Sequence, residues 1–162
     1  MNSTQTEPRE PSDRAAVAFH PPLLLLPLIV FGFIGGWLLP APFLPSAWTF
    51  PFGAAIVVLS WAFFAWAVMT MLRGGASIPT TTGTDAIVEH GAFRISRNPI
   101  YVSMVLLLIG IGCWANSLWF IAFAVIDAFA LNYGVIPAEE RYLQDKFGEA
   151  YLGYKRRVRR WI

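Results

Sequence analysis

The chain reads as an all-α integral membrane protein, and three observations predict that class. Of its 162 residues, 56% are hydrophobic and only 14% charged, with a mean hydropathy of +0.54; a soluble domain of this size needs more polar surface. The charges stand in blocks with long uncharged stretches between them. Those stretches approach or reach the roughly 20 residues a helix needs to cross a bilayer. The expected architecture is about four transmembrane helices, with a C-terminal helical hairpin and a cytoplasmic amphipathic tail helix. A single domain over 21–162 would follow a flexible cytoplasmic N-terminal tail over 1–20.

That tail, "MNSTQTEPREPSDRAAVAFH", is polar and contains proline, which suits a flexible segment. Its acids and bases are mixed, unlike the basic start of a secretory signal. The first apolar run is 23–39. Pro27, Gly32, Gly35 and Gly36 lie within it, tolerable in lipid where neighbouring helices cover the backbone and useful for close helix contact. The uncharged stretch 40–51, with four prolines, suits the membrane interface. The run 52–72 is the clearest span and is stopped by Arg73. A long polar connection follows, of the kind that is usually functional or disordered.

The third and fourth runs, 100–114 and 118–136, are joined by the uncharged turn Ala115–Ser117 and read as a tight helical hairpin. Arg73, Arg94 and Arg97 lie in the central connection, and seven Lys/Arg follow Pro137. The positive-inside rule then places both termini and the central connection in the cytoplasm, as four spans require. In the tail 137–162, Tyr142, Leu143, Phe147, Tyr151, Leu152 and Tyr154 recur at helical spacing before a basic end, which fits a helix lying on an anionic leaflet.

The net charge of +2 gives no footing for nucleic acid. Cys113 is the only cysteine, and no H-E-x-x-H or C-x-x-C pattern exists, so a metal site is not expected. Asp127 sits mid-run, where a carboxyl either packs with a hydrogen bond or has a function. Asn132 and Glu139 could share a helix face beyond it, with Pro137 bending the helix between them. Asn98 precedes Pro99 at a helix entrance, so Asn98 is a natural N-cap. The free N–H groups of that first turn, with Arg94 and Arg97, could also attract a carboxylate. Glu139 and Glu140 form an acidic pair at the start of the tail; they are either a solvated helix start or acceptors for a polar ligand.

Together, "IVEHGAFRISRNPIYV", an apolar hairpin and "EERYLQDKFGEAYLGYKRRV" resemble the isoprenylcysteine carboxyl methyltransferase and phospholipid methyltransferase superfamily of integral membrane enzymes. The likeness covers 87–158. It implies S-adenosyl-L-methionine as cofactor and a membrane lipid or lipidated small-molecule acceptor. Arg97, Asn98, Pro99 and Tyr101 match the Arg-His-Pro-x-Tyr segment that helps hold the cofactor. Glu139 and Glu140 match its Glu-Glu pair, also at the cofactor, and Leu143 the apolar position after the pair. Tyr151, Tyr154 and Arg157 match the tail that closes over the cofactor and approaches the acceptor. The chain departs from the pattern at Asn98 (usually His), Ser103 (usually Gly) and Arg159 (usually Pro). Asn-Pro is similar to the phosphatidylethanolamine N-methyltransferases, whereas the tail is more similar to the isoprenylcysteine enzymes.

The expected activity is therefore methyl transfer to a lipid-like acceptor: O-methylation of a carboxylate, or alternatively N-methylation of an ethanolamine phospholipid. A non-catalytic scaffold of the same fold is the third reading. Arg157, orienting a carboxylate, and Glu140 are the candidate catalytic residues. Glu140, His90 and Asp127 are the candidate bases for an amine. In-line methyl transfer needs positioning and exclusion of water rather than a metal or a covalent nucleophile.

Overall fold

A computed structural model describes residues 21–74 and 86–162 of the chain. The proposed N-terminal tail and part of the central connection lie outside the described residues. Within them the chain is helical and no strand is present. The helices are α1 (Pro21–Leu38), α2 (Ser46–Arg73), α3 (Pro99–Ala115), α4 (Leu118–Ala130), α5 (Ile136–Phe147) and α6 (Glu149–Arg157), with a 3-10 turn at Gly91–Arg94 and a π turn at Leu131–Val135.

The hairpin α3–α4 is the centre. α2 packs along α3, and α1 packs along α4. Small residues permit these contacts. A Cβ on Gly32 would stand 2.6 Å from the Phe120 ring, and one on Gly110 would stand 2.9 Å from the Val57 backbone nitrogen. Gly110 thus lets α3 approach α2, whereas Gly112 lets it approach α4, where an added Cβ would stand 2.9 Å from Phe120 Cβ. Two apolar clusters stack along the hairpin. Leu28, Leu108, Phe120 and Ala124 fill the half near the α3–α4 turn. Tyr101, Met104, Leu131, Val135 and Ile136 fill the half beneath the polar end.

The turn between α3 and α4 is closed by Asn116, which adopts the left-handed conformation at φ 48°, one that asparagine tolerates. Its side chain also orders the 39–45 loop, accepting from Phe43 N–H at 2.9 Å and Leu44 N–H at 2.8 Å and donating to the Leu44 carbonyl at 2.9 Å. The Leu118 N–H adds a bond to the Ala41 carbonyl and the Trp119 indole N–H one to the Leu39 carbonyl, each at 3.0 Å, so uncharged groups tie this end of the molecule.

Helix boundaries differ from the sequence reading in two places. α2 begins at Ser46 rather than 52, taking Pro51 into its early turns. The fourth run does not end at Pro137: α4, the π turn and α5 make one helix, Leu118–Phe147. Proline lacks an N–H and its ring crowds the carbonyl four residues back. Here that carbonyl belongs to Tyr133, inside the π turn, whose extra residue widens the backbone at this point. The proline is absorbed instead of breaking the helix.

The tail is two helices rather than one. Gly148, at φ 53° and ψ −125°, separates α5 from α6, a conformation that L side chains rarely adopt. Of the aromatic residues at helical spacing in the tail, Tyr151 and Tyr154 are buried. Ser46–Arg73 and Leu118–Phe147 are long and apolar enough to cross a membrane, and Leu23–Leu38 and Pro99–Ala115 are shorter apolar helices.

Candidate functional site

The apolar part of the Leu118–Phe147 helix ends near Ile136, and a charged continuation begins there. Charges converge at this end, between the entrance of α3, the first turns of α5 and the C-terminal residues. Glu140 is their hub. Its Oε1 accepts from Arg97 Nη2 at 2.7 Å and from Arg160 Nε at 3.1 Å. Its Oε2 accepts from Arg160 Nη2 at 2.8 Å and lies 3.3 Å from Lys155 Nζ. The Arg97 and Glu140 side chains are each less than a tenth exposed, so this is a buried ion pair in which each charge depends on its partner. Burial alone would push the Glu140 carboxyl up; the hydrogen bonds from Arg160 and Arg97 outweigh it and hold the pKa below the usual range. The same contact raises the pKa of Arg160.

Glu139, one residue earlier, faces differently. It accepts from the Tyr101 hydroxyl at 2.6 Å. Burial pushes its pKa up to about 7; the Tyr101 hydrogen bond lowers it, and the neighbouring Glu140 charge raises it. Two adjacent carboxyls thus have opposite characters, one fixed as an anion and one near neutrality.

Asn98 is the residue before α3, but its side chain does not cap the helix. Its Nδ2 donates to the Arg160 carbonyl at 2.9 Å. Pro99 occupies the first turn as expected. Arg97 Nη1 donates to the carbonyls of Lys155 at 2.9 Å and Val158 at 3.0 Å. Its Nε is buried and has no hydrogen-bond partner among the described residues.

Tyr154 donates its hydroxyl to the Phe93 carbonyl at 2.8 Å, fastening α6 to the 3-10 turn. Tyr151 lies with its ring centroid 6.1 Å from that of Tyr154. Burial pushes Tyr151 up to about 12, with the Glu140 charge adding to the rise. Burial and then Tyr151 push Tyr154 up as well. Both are neutral phenols at physiological pH.

The structure therefore gathers Arg97, Asn98, Tyr101, Glu139, Glu140 and the tyrosine pair at one end of the hairpin. Arg157 points elsewhere: it is largely exposed and pairs with Glu89. His90 precedes the 3-10 turn at the foot of α2. Asp127 is fully buried, and neither of its oxygens has a partner among the described residues. It lies twelve residues before Glu139, about 18 Å along a helix, and stands apart from the cluster. Asn132 does join it, accepting from Arg160 Nη1 at 3.2 Å and Trp161 Nε1 at 3.1 Å. Sequence reasoning missed Arg160 and Lys155. The basic end suggested a lipid contact, and no local pattern showed that one of its arginines turns inward. A separate cleft, lined in part by Gly36, Trp37, Asn116 and Ser117, lies at the opposite end of the hairpin.

The sequence profile of the phospholipid methyltransferase family matches residues 48–150, which contain the α3–α4 hairpin, the acidic pair and all of α5. An uncharacterized protein of Haemophilus influenzae is 39% identical over 64 residues, 39% of this chain and 100% of that protein. The cobalt-zinc-cadmium resistance protein CzcN of Cupriavidus metallidurans is 36% identical over 75 residues, 46% of this chain and 34% of its own length. The chain thus spans about a third of CzcN and the whole of the Haemophilus protein. No solved structure matches the chain. With the profile covering most of the chain, and with one relative covered from end to end, the chain belongs to the phospholipid methyltransferase family, within the superfamily of integral membrane methyltransferases.

Proposed function

We propose that the chain is an S-adenosyl-L-methionine-dependent methyltransferase that acts on a membrane-embedded, lipid-like acceptor, with O-methylation of a carboxylate as its reaction. The observation that carries this reading is the Arg97–Glu140 contact at 2.7 Å. It joins the entrance of α3 to the start of α5, which supports reading the two polar motifs as one site.

The residues fit the cofactor. Its carboxylate needs donors, and Arg97 offers a buried, unspent Nε–H beside a surplus of positive charge, three cations on one carboxylate. Its ammonium needs an acceptor, and Glu139 stands beside the cluster. Tyr151 and Tyr154 offer aromatic surface suited to adenine or, through cation–π attraction, to a sulfonium. When bound, the cofactor supplies an electrophilic methyl group on a sulfonium. The protein's part is orientation and dryness. Arg97 holds the anionic end, the tyrosines wall the site from water, and the partly buried Leu25 and Ile100, packed against the apolar cluster beneath, give a lipid-like acceptor an apolar approach. A carboxylate acceptor is already ionised and needs no base, and Arg157 can turn from Glu89 to orient it. Glu140, saturated by cations and held anionic, gathers charge instead of accepting a proton.

The four apolar helices are read as four spans, with both termini and the charged end in the cytoplasm. A charged donor from the cytosol and an acceptor from the lipid then meet at the boundary.

Phospholipid N-methylation is the second reading. The family match itself favours it, as does Asn98 in place of histidine, and Glu139 with its raised pKa is the base available to an ammonium headgroup. Transfer of labelled methyl groups from the cofactor into extracted lipid tests both. Label that is released by mild base marks an ester, label that survives marks an N-methyl product, and no label from folded protein in lipid overturns the methyltransferase reading.

A further inference from the structure

The last residues of the chain are built into the charged cluster. The Arg97 N–H donates to the Arg159 carbonyl at 2.9 Å. Ser96 Oγ and Asn98 Nδ2 both donate to the Arg160 carbonyl, at 3.2 Å and 2.9 Å. The backbone of Arg160 is thereby held against the entrance of α3. Its guanidinium reaches the other way, across both oxygens of Glu140 at 3.1 Å and 2.8 Å and on to Asn132 at 3.2 Å. One residue, through its backbone carbonyl and its side chain, links the approach to α3, the π turn and the start of α5.

A planar guanidinium is suited to that task. It can grip a carboxylate with two parallel N–H groups and still donate to a third acceptor, whereas an ammonium is a point charge on a flexible stem. Glu140, so held, is one of the groups that fix the Arg97 guanidinium; the Lys155 and Val158 carbonyls are the others. The direction of the unspent Arg97 Nε–H is set by these three.

We propose that Arg160 is a positioning residue of the methyl-donor site: it clamps Glu140 to Asn132 and so fixes Arg97 to receive the anionic end of the donor. The proposal rests on the methyltransferase reading for the identity of the donor but not for the clamp itself. Arg160 acts through Glu140 and Arg97 and touches no reacting atom. A tail that instead competed with the donor for Glu140 would have the opposite signature, since its removal would tighten donor binding.

The test compares the full chain in detergent with its Arg160→Ala, Arg160→Lys and Asn132→Leu variants. S-adenosyl-L-methionine affinity is measured by calorimetry, and donor-free amide exchange is followed at Arg97. Arg160→Ala is expected to weaken donor binding about 10-fold or more, as loss of hydrogen bonds to a charged group implies. Arg160→Lys restores part of the loss, because it keeps the charge without the fork. Asn132→Leu, which cuts one arm of the clamp, gives a smaller loss and serves if Arg160→Ala does not fold. Without donor, the Arg97 amide exchanges faster in Arg160→Ala while amides in the middle of α3 keep their protection. Wild-type or tighter donor affinity in the variants overturns the proposal, as does unchanged exchange at Arg97. If the exchange effect is present but even the wild type binds no donor, the clamp stands and the donor reading fails.

Discussion

Glu140 shows how a single carboxylate can organise a site. Arg97, Arg160 and Lys155 all reach it, and removing it leaves a buried Arg97 facing uncompensated charge. Glu140→Ala is expected to cost about 3–5 kcal/mol, the usual result of breaking a buried pair from one side, and to weaken donor binding. Thermal or denaturant unfolding in detergent measures the first effect and calorimetry the second; full stability and affinity would remove Glu140 from the hub. The pH dependence follows from the direction of its shift. The folded pKa lies below the unfolded one, so the stability Glu140 contributes is complete above the ordinary glutamate range. It is lost as pH falls through the lower, folded value. Glutamine at this position flattens that acid limb.

Glu139 makes a different prediction at the same scale. In the proposed site Glu139 pairs with the donor's ammonium and so has to be ionised, and burial pushes its pKa up to about 7. Donor affinity therefore falls as pH drops through that region. Tyr101 lowers this pKa by donating to the carboxylate, so Tyr101→Phe moves the edge to higher pH. An affinity that is flat across this range, or an edge unmoved by the substitution, removes Glu139 from the ammonium position.

At the scale of elements, the π turn sets the phase between the apolar and charged parts of one helix. Leu131–Val135 carries one residue more than regular α-helix would need. Deleting Gly134 removes that extra residue and restores a regular helix; because the π turn takes up one residue without adding its rotation, Glu139 and Glu140 keep their phase toward Tyr101 and Arg97. Donor binding is therefore expected to be kept, with helix content retained. Circular dichroism and calorimetry check this, and a loss of about 10-fold or more, the cost of one charged hydrogen bond, would show that the phase is not kept in this way.

The same elements show what the sequence could and could not reveal. The hairpin was legible because hydropathy and the Ala115–Ser117 turn are local signals, and α3 spans Pro99–Ala115 where 100–114 was expected. The convergence of the two polar motifs was legible from topology, since a hairpin returns its ends to one side. A continuation past Pro137 was legible as a bend between Asn132 and Glu139, but the way the helix absorbs the proline was hidden, because a π turn has no sequence pattern of its own. Asn98 read as a cap because capping is judged from neighbours; its true partner, the Arg160 carbonyl, is 62 residues away. The inward turn of Arg160 was invisible for the same reason. Five basic residues stand among the last eight, and only tertiary contact tells which of them meets Glu140.

For the whole molecule, the decisive feature is the contrast between its two ends. The α3–α4 turn and the 39–45 loop carry no charge and are tied together by the Asn116 amide; the other end holds the arginines and carboxylates. An 18-residue α1 and a 17-residue α3 are about 27 and 26 Å long at the α-helical rise, close to the thickness of a hydrocarbon core of about 30 Å. On the proposed topology a membrane sits between the two ends, with the cationic end inside. Single cysteines in a Cys113→Ser background test this, because Cys113 is the only native thiol. Ser46→Cys, on the exposed start of α2, is expected to react with a membrane-impermeant maleimide in intact cells. Asp145→Cys, on the exposed face of α5, is expected to react only after permeabilisation. The reversed pattern would turn the protein over in the membrane, and equal labelling of both before permeabilisation would put the two ends on one side. Either result would deny the charged end its access to a cytosolic methyl donor.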